Sequence, residues 1–302
     1  MTDSELRSAV FISADELHAK IAAGTPPVLL DIRFRHAQHD RRFAYEEGHI
    51  PGAIYVDLQH ELAGEPGGTR GNRPLPELAD LQKRVTAWGI HADSEVVVYD
   101  DHTCLQAGRG WWTLKWGGLP AVRLLDGGLD AWIAAGYIVT KETPTSPAPG
   151  TARLTGGGLP TITADEAAQM AIEAILLDSR GTENYRGGPT PPGQPPRGHI
   201  PGAINAPTPD NLDARGLTLP TAALRQRFAA FGVDGSRPLG VYCGGGVSAA
   251  HQIAVLTSIG IRAALFPGSW SAWSGDPDRP VARGELPWGE DASEHSKEGH
   301  RR

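Results

Sequence analysis

The sequence predicts an α/β protein built from two tandem domains, each a small parallel β-sheet with helices on both faces. Short apolar strands alternate with helices along the chain, which is the pattern of such layered sheets. The segment GHIPGAI occurs at residues 48–54 and returns unchanged at 198–204. The spacing between the copies is the size of a domain, so it indicates a duplicated domain rather than a solenoid repeat.

Other landmarks recur in the same order. Residues 30–33 (LDIR) return as 177–180 (LDSR), 74–76 (PLP) as 218–220 (TLP), 97–100 (VVYD) as 240–243 (GVYC), and 127–132 (GGLDAW) as 268–273 (GSWSAW). We therefore predict a first domain over 10–140, a linker over 141–160, a second domain over 161–287 and a disordered tail over 288–302. The linker is rich in Pro, Ser, Thr and Gly, and the tail is polar and charged.

The elements of the first domain follow in order. Ser13 is a predicted N-cap, with Glu16 three residues on, for a helix over 15–23. Apolar runs predict strands over 27–32, 53–56, 95–99 and 122–125, and the β-branched run at 95–99 is typical of a buried parallel strand. Further helices are predicted over 77–88, which stops at Gly89, and over 107–116.

The second domain repeats this series. Helices are predicted over 163–174, 221–231 and 248–259, and strands over 174–178, 238–242 and 263–266. Both domains should therefore have the same order of strands and helices.

Composition restricts the kind of protein. The chain has 302 residues and a formal net charge of −7, which argues against a nucleic-acid partner because such surfaces are basic. No apolar run is long enough to span a membrane, and residues 1–9 lack the pattern of a signal peptide. We expect a cytoplasmic protein with no membrane partner, whose two cysteines, Cys104 and Cys243, are reduced.

The strongest chemical signal lies where the strand 239–242 ends. Cys243 is followed by Gly244, Gly245, Gly246, Val247 and Ser248, and then by a helix. Ligands of open parallel sheets bind beyond the carboxyl ends of the strands. The glycines allow a tight turn with inward-pointing amides, and the helix N-terminus adds a positive field, so the loop suits a thiolate or the outer sulfur of a persulfide. The alternative is a small buried cysteine before an ordinary turn.

The string CGGGVS after a strand, GHIPGAI twice and LDxR twice resemble the rhodanese-like sulfurtransferases over about residues 10–285. The resemblance implies domains with five-stranded parallel sheets, of which the second is catalytic and the first has lost its cysteine. Asp100 stands where Cys243 stands in the second repeat. The implied activity moves a sulfane sulfur from thiosulfate or 3-mercaptopyruvate to a thiol or cyanide acceptor, through a persulfide on Cys243.

The loop is closer to the family's mercaptopyruvate type, CG(S/T)GVT, than to its thiosulfate type. The family's loop serine corresponds to Gly245, and its threonine is replaced by Ser248. One family arginine that binds the substrate carboxylate falls at Asn184. We therefore expect Arg186 and Arg197 to bind the substrate together with residues 244–248, and Arg109 of the first domain is a further source of positive charge.

Other candidates are weaker. Arg180 follows Asp178 just as Arg33 follows Asp31, so this pair is interpreted as structural, and His199 as a loop residue because His49 repeats it. A cysteine phosphatase needs an arginine six residues after the cysteine, where this chain has Ala249. A persulfide carrier without turnover stays open as an alternative. The sequence contains no metal-ligand cluster or dinucleotide fingerprint, so we expect no cofactor.

Overall fold

In the computed structural model, which describes residues 1–34, 41–190 and 196–290, the chain forms two parallel sheets. Most of the predicted tail, residues 291–302, lies outside the described residues. The predicted elements are all present, with ends that differ from the prediction by no more than about two residues. The α/β fold class with two parallel sheets is confirmed.

The first sheet has five strands in the order β1-β5-β4-β2-β3. Its strands are β1 (Phe11–Ile12), β2 (Val28–Arg33), β3 (Ile54–Asp57), β4 (Val96–Tyr99) and β5 (Val122–Leu125). Its helices are α1 (Asp3–Ser8), α2 (Ala14–Ala22), α3 (Arg42–Glu47), α4 (Leu58–Glu61), α5 (Leu78–Ala87), α6 (Ala107–Trp116) and α7 (Gly128–Ala134). The central strand β4 is apolar and fully buried, as a parallel strand covered on both faces should be.

The second sheet has four strands in the order β7-β6-β8-β9. Its strands are β6 (Ile175–Asp178), β7 (Ile204–Asn205), β8 (Leu239–Tyr242) and β9 (Ala264–Leu265). Its helices are α8 (Ala164–Glu173), α9 (Thr182–Arg186), α10 (Thr221–Ala229), α11 (Ser248–Ser258) and α12 (Ser269–Trp273). The fifth strand implied by the family resemblance is reduced to a bridge between Thr161 and Leu265, next to Pro160, which has no amide to extend the ladder.

The GHIPGA motif has one structural role in both domains. Nδ1 of His49 lies 2.8 Å from the carbonyl oxygen of Tyr45, and Nδ1 of His199 lies 2.9 Å from that of Tyr185. Each imidazole also stacks on the tyrosine ring. The hydroxyl of Tyr242, the last residue of β8, accepts a hydrogen bond from the Ile200 amide at 3.1 Å. The motif therefore fixes the strand that ends at the cysteine, and His199 is a loop residue as the repeat indicated.

The two domains pack through helices α6 and α11. Gly108 of α6 lies so close to His251 of α11 that a β-carbon at position 108 would be 2.5 Å from the histidine Cβ. Helix α1 also packs on α11, and Arg7 of α1 donates to the carbonyl oxygens of Thr218 and Leu219. One apolar core runs through both domains. This packing brings first-domain residues to the end of β8.

The predicted linker 141–160 lies along the first domain. The amide of Ala152 donates to the carbonyl oxygen of Ile90 at 3.0 Å, and Ala152 is buried. The domain boundaries predicted from the sequence stay a prediction. Among the residues that the structure describes, no helix is both long enough and apolar enough to cross a membrane.

Candidate active site

Cys243 lies directly after β8, a central strand of the second sheet, and is 2% exposed. Its amide donates to Oγ of Ser269 at 3.2 Å, and its carbonyl oxygen accepts from the Trp270 amide at 2.9 Å. These contacts with α12 hold the cysteine backbone in place. The thiol can therefore act from a fixed position rather than from a mobile loop.

The loop after Cys243 turns sharply at Gly246. This residue has φ +76°, and a β-carbon there would lie 2.7 Å from the Pro267 carbonyl oxygen and 2.8 Å from Nη1 of Arg109. Only glycine fits this conformation and space. The Gly246 amide points at the sulfur and donates to Sγ at 3.1 Å.

The sequence predicts that the amides of residues 244–248 converge on the sulfur. In the described part of the chain one of them, from Gly246, makes such a hydrogen bond. Ser248 begins α11, so the N-terminus of this 11-residue helix faces the loop and contributes its positive field. The amide and the helix N-terminus therefore both direct partial positive charge towards the sulfur.

A cavity of about 410 Å³ opens beside the cysteine. Residues of both domains line it: Phe34, Asn72, Arg73, Pro196, Arg197, Cys243, Gly244, Gly245, Val247, Ser248, Trp270, Ser271 and Ser274. Of the predicted loop residues, Gly246 alone is not part of this lining and instead touches the sulfur through its amide. The cavity is large enough for a small anionic donor.

The two arginines predicted to bind substrate lie in different surroundings. Arg197 lines the cysteine cavity and also a neighbouring cavity of about 370 Å³, which it shares with Arg186. Nη2 of Arg186 lies 2.6 Å from Oε1 of Glu285, and the arginine side chain is 48% exposed. The structure therefore brings Arg197 to the cysteine and places Arg186 one cavity away in an ion pair. Their role in substrate binding stays a prediction.

Arg73 is a functional candidate that the sequence did not reveal. It comes from the first domain, is 9% exposed and lines the cysteine cavity. Its guanidinium carbon lies 4.2 Å from the ring centre of Phe34, and its Nε has no hydrogen-bond partner within the described chain. Burial lowers the pKa of Arg73, while Cys243 nearby acts to raise it. No sequence pattern could indicate this contact, because it forms only when the two domains pack.

Arg109 is a second buried cation beside the loop, as the sequence allowed. Its side chain is fully buried, and burial lowers its pKa to about 10. The guanidinium donates at 3.1–3.3 Å to four carbonyl oxygens, those of Leu62, Arg73, Pro74 and Gly246. It therefore ties the cysteine loop to the first domain and adds positive charge behind it.

The first domain carries an anion at the corresponding point of its own sheet. The Asp100 carboxylate follows β4 and accepts at 2.7–3.1 Å from the backbone amides of four loop residues, His102, Cys104, Gln106 and Ala107. Burial raises the pKa of Asp100, and these four hydrogen bonds act to lower it. The carboxylate thus occupies the amide nest, while Cys104 is buried and its thiol donates to the Leu125 carbonyl oxygen.

The predicted structural pairs are closely similar in the two domains. Arg180 contacts the Asp178 carboxylate at 2.5 Å and the Gly198 carbonyl oxygen at 2.7 Å. Arg33 makes the same contacts with Asp31 and Gly48 in the first domain, which lacks Cys243. An identical arrangement in both domains supports a structural role.

Comparison with known proteins identifies the family. The family described as Rhodanese-like domain matches this chain twice, over residues 13–135 and 163–276. The chain belongs to the rhodanese-like family. The SseB protein of Mycobacterium tuberculosis, which is named as a thiosulfate sulfurtransferase, is 44% identical over 285 residues, covering 93% of this chain and 99% of the relative.

Relatives named for the other donor are also similar to this sulfurtransferase. The 3-mercaptopyruvate sulfurtransferase of Escherichia coli is 30% identical over 279 residues, covering 90% of this chain and 97% of the relative. The crystal structure of SseA from Escherichia coli matches with a TM-score of 0.72 at 28% identity, covering 86% of this chain and 98% of that one. The 3-mercaptopyruvate sulfurtransferase structure from Leishmania major matches with a TM-score of 0.77 at 27% identity, covering 88% and 74%.

Proposed function

We propose that this sulfurtransferase takes a sulfane sulfur from thiosulfate or 3-mercaptopyruvate and passes it to a thiol or cyanide acceptor, with Cys243 as the catalytic residue. One observation carries the assignment of Cys243. Its sulfur lies at the end of β8, beside the 410 Å³ cavity, with the Gly246 amide 3.1 Å away. A thiolate held by an amide and open to a cavity is the arrangement that nucleophilic sulfur chemistry requires.

The chemistry proceeds in two displacements. The Cys243 thiolate attacks the outer sulfur of thiosulfate, a new S–S bond forms, and sulfite leaves with the electron pair of the old S–S bond. With 3-mercaptopyruvate the C–S bond breaks instead, and the carbon takes the thiol proton to give pyruvate. An acceptor thiolate or cyanide then attacks the outer sulfur of the persulfide, and Cys243 leaves as the thiolate.

The loop and Arg197 supply the donor site in this proposal. The backbone of Gly244–Ser248 surrounds the transferred sulfur, and Ser248 itself lines the cavity. Arg197, on the same wall, binds the anionic group of the donor through a charge-assisted hydrogen bond. Arg186 shares the neighbouring cavity with Arg197, but Glu285 already pairs with its guanidinium. We therefore assign Arg186 a smaller contribution to donor binding than Arg197.

The net charge of −7 supports small-molecule partners rather than nucleic acid. Within the described chain the two cysteines are free thiols, which supports a reducing compartment such as the cytoplasm.

The test is persulfide formation followed by turnover. Purified wild-type protein mixed with either donor should become heavier by one sulfur atom by mass spectrometry, and addition of cyanide should remove that atom as thiocyanate. Cys243→Ser should gain no sulfur and show no turnover. Cys104→Ser is the matched control, and it should behave as wild type because its thiol is buried and hydrogen-bonded to Leu125.

Three results would contradict the proposal. Turnover retained in Cys243→Ser would remove the persulfide mechanism, and sulfur found on Cys104 would place the chemistry in the other domain. A persulfide that forms on Cys243 but is not released to any thiol or to cyanide would identify a carrier rather than an enzyme.

A further inference from the structure

Arg73 and Gly245 meet across the domain boundary at the mouth of the cysteine cavity. A β-carbon on Gly245 would lie 3.1 Å from Nη1 of Arg73, which is closer than an ordinary van der Waals contact. A side chain at position 245 therefore requires the Arg73 guanidinium to move by a few tenths of an ångström. The missing side chain at position 245 leaves room for a cation beside the sulfur.

The position of Arg73 is fixed by its neighbours. The amide of Asn72 donates to Oγ of Ser271 in the second domain at 2.9 Å, and this attaches the segment to the cavity wall. The carbonyl oxygen of Arg73 accepts from Arg109 at 3.1 Å. The guanidinium lies over the face of Phe34, an attraction that orients its plane. A cation held this way needs little reorganisation when an anion binds.

Arg73 is also a buried charge without a carboxylate partner among the described residues. It forms no ion pair with any carboxylate of the described residues, and its Nε is unpaired there. Arg109 behind the loop likewise donates to carbonyl oxygens alone. Burying charge without a partner is costly, so two such cations beside one nucleophile indicate that an anion completes the site.

We propose that Arg73 determines donor specificity and that it selects thiosulfate, which releases sulfite, over α-keto thiols. This inference rests on the proposed function, because it assumes that Cys243 attacks the donor sulfur. In thiosulfate the anionic SO3 group is bonded directly to the attacked sulfur. Negative charge therefore grows on that group as the S–S bond breaks. A cation beside Cys243 is close enough to stabilise this charge.

In an α-keto thiol the charge develops at a different place. Its carboxylate is separated from the sulfur by two carbon atoms, so the charge that develops in the transition state is not on the carboxylate. The carbon that leaves sulfur must also gain a proton, and a fixed cation does not supply one. Arg73 should therefore lower the barrier for thiosulfate and contribute mainly ground-state binding for an α-keto thiol.

The attack of Cys243 on thiosulfate balances in atoms and electrons without a further reactant. The Cys243 thiolate forms a bond to the outer sulfur, the S–S bond of the donor breaks, and its electron pair leaves with sulfite. Arg73 donates N–H hydrogen bonds to the departing oxygens and changes neither its proton nor its charge.

The experiment compares thiosulfate and 3-mercaptopyruvate on the same preparations of wild type, Arg73→Met, Arg73→Lys and Gly245→Ser. Arg73→Met should lower kcat/KM for thiosulfate by ~10- to 100-fold, the range expected for a lost charge-assisted hydrogen bond, and for 3-mercaptopyruvate by less than about threefold. Arg73→Lys should recover part of the thiosulfate activity. Gly245→Ser should lower thiosulfate activity in the same direction but less than Arg73→Met, because its β-carbon pushes the guanidinium away from its present place by only a few tenths of an ångström.

Inhibition by sulfite provides a second measurement, which would not change if Arg73 had only a structural role. Arg73→Met should weaken product inhibition by sulfite by the same order as it lowers thiosulfate turnover, since both depend on the bound sulfite group. Arg215→Met is the matched control, because Arg215 is an exposed arginine paired with Asp213. It should leave both donors and sulfite inhibition unchanged.

The outcomes separate this inference from the proposed function. If Arg73→Met reduces kcat/KM equally for both donors, or for neither, Arg73 does not set donor specificity, and loss of turnover in Cys243→Ser still shows separately that Cys243 is essential. If Cys243→Ser retains turnover, the proposed function itself fails. Should Arg73→Met fold poorly by thermal unfolding, Arg73→Lys and Gly245→Ser still decide, because the ratio of the two donors cancels a loss of folded protein.

Discussion

Nη1 of Arg109 lies 3.3 Å from the carbonyl oxygen of Gly246, so a side chain of the first domain holds the loop whose amide contacts the Cys243 sulfur. The first domain, which lacks Cys243, therefore contributes to the candidate active site. Arg109 does not line the cavity, which distinguishes it from Arg73. It acts on the reaction by positioning the loop.

We predict that Arg109→Met lowers kcat/KM about tenfold or more, and by the same factor for every donor. Four buried carbonyl oxygens lose their donor, at roughly 1–3 kcal/mol for each group left unsatisfied, so the unfolding midpoint should also fall. Steady-state kinetics with both donors and thermal unfolding check this. Arg109→Lys should restore part of the stability, and unchanged kinetics in Arg109→Met would show that the loop does not depend on this contact.

The anion nest of the first domain predicts a purely structural effect. Asp100→Ala removes the acceptor of four backbone amides, so the free energy of unfolding should fall by several kcal/mol. Asp100→Asn keeps one acceptor oxygen and should lie between Ala and wild type. Denaturant unfolding of the three proteins checks this order. Persulfide formation on Cys243 per folded molecule should not change. A loss of persulfide formation without a loss of stability would contradict the structural role of Asp100.

The duplicated Asp-Arg pairs predict that Arg180 matters for stability more than for KM. Arg180→Met leaves the buried Asp178 carboxylate unpaired, which costs roughly 3–5 kcal/mol for a broken buried pair. Arg33→Met is the matched variant in the other domain and should lose a similar amount. Unfolding midpoints and KM for both variants provide the measurement. A rise in KM for Arg180→Met at unchanged stability would instead place Arg180 in substrate binding.

Local patterns in the sequence predicted the elements that carry the cysteine. The helix 107–116 and the strand 122–125 agree residue for residue with α6 and β5, because their apolar periodicity and glycine boundaries are local signals. The Cys243 loop was predicted for the same reason, since a strand, three glycines and a helix follow one another in the chain.

Features that depend on distant pairing could not be predicted in this way. Strand β1 has two residues and exists through its pairing with β5, Phe11 against Leu124, more than a hundred positions along the chain. Arg73 follows a turn with no regular pattern, and it reaches the cavity because Asn72 bonds to Ser271 of the other domain. Contacts across a domain boundary have no periodicity that a single sequence can display.

The last prediction concerns His251, a fully buried residue of α11 at the contact with Gly108. Neither ring nitrogen has a hydrogen-bond partner in the described part of the chain. Burial lowers the pKa of His251 to about 4, from an ordinary value of 6.5. In the unfolded chain the imidazole binds a proton below about pH 6.5, whereas in the folded protein it does so only below about pH 4.

Between these two values the unfolded state binds more protons, so the stability contributed by neutral His251 is complete above pH 6.5 and is lost as the pH falls towards 4. The full loss is about 3 kcal/mol. His251→Met cannot titrate and has a similar volume, so its free energy of unfolding should fall less than that of wild type between pH 7 and pH 4.5. Urea unfolding at several pH values measures the difference, with the exposed His60→Gln as control. If the curves of wild type and His251→Met stay parallel, protonation of His251 does not limit the stability of the domain interface in acid.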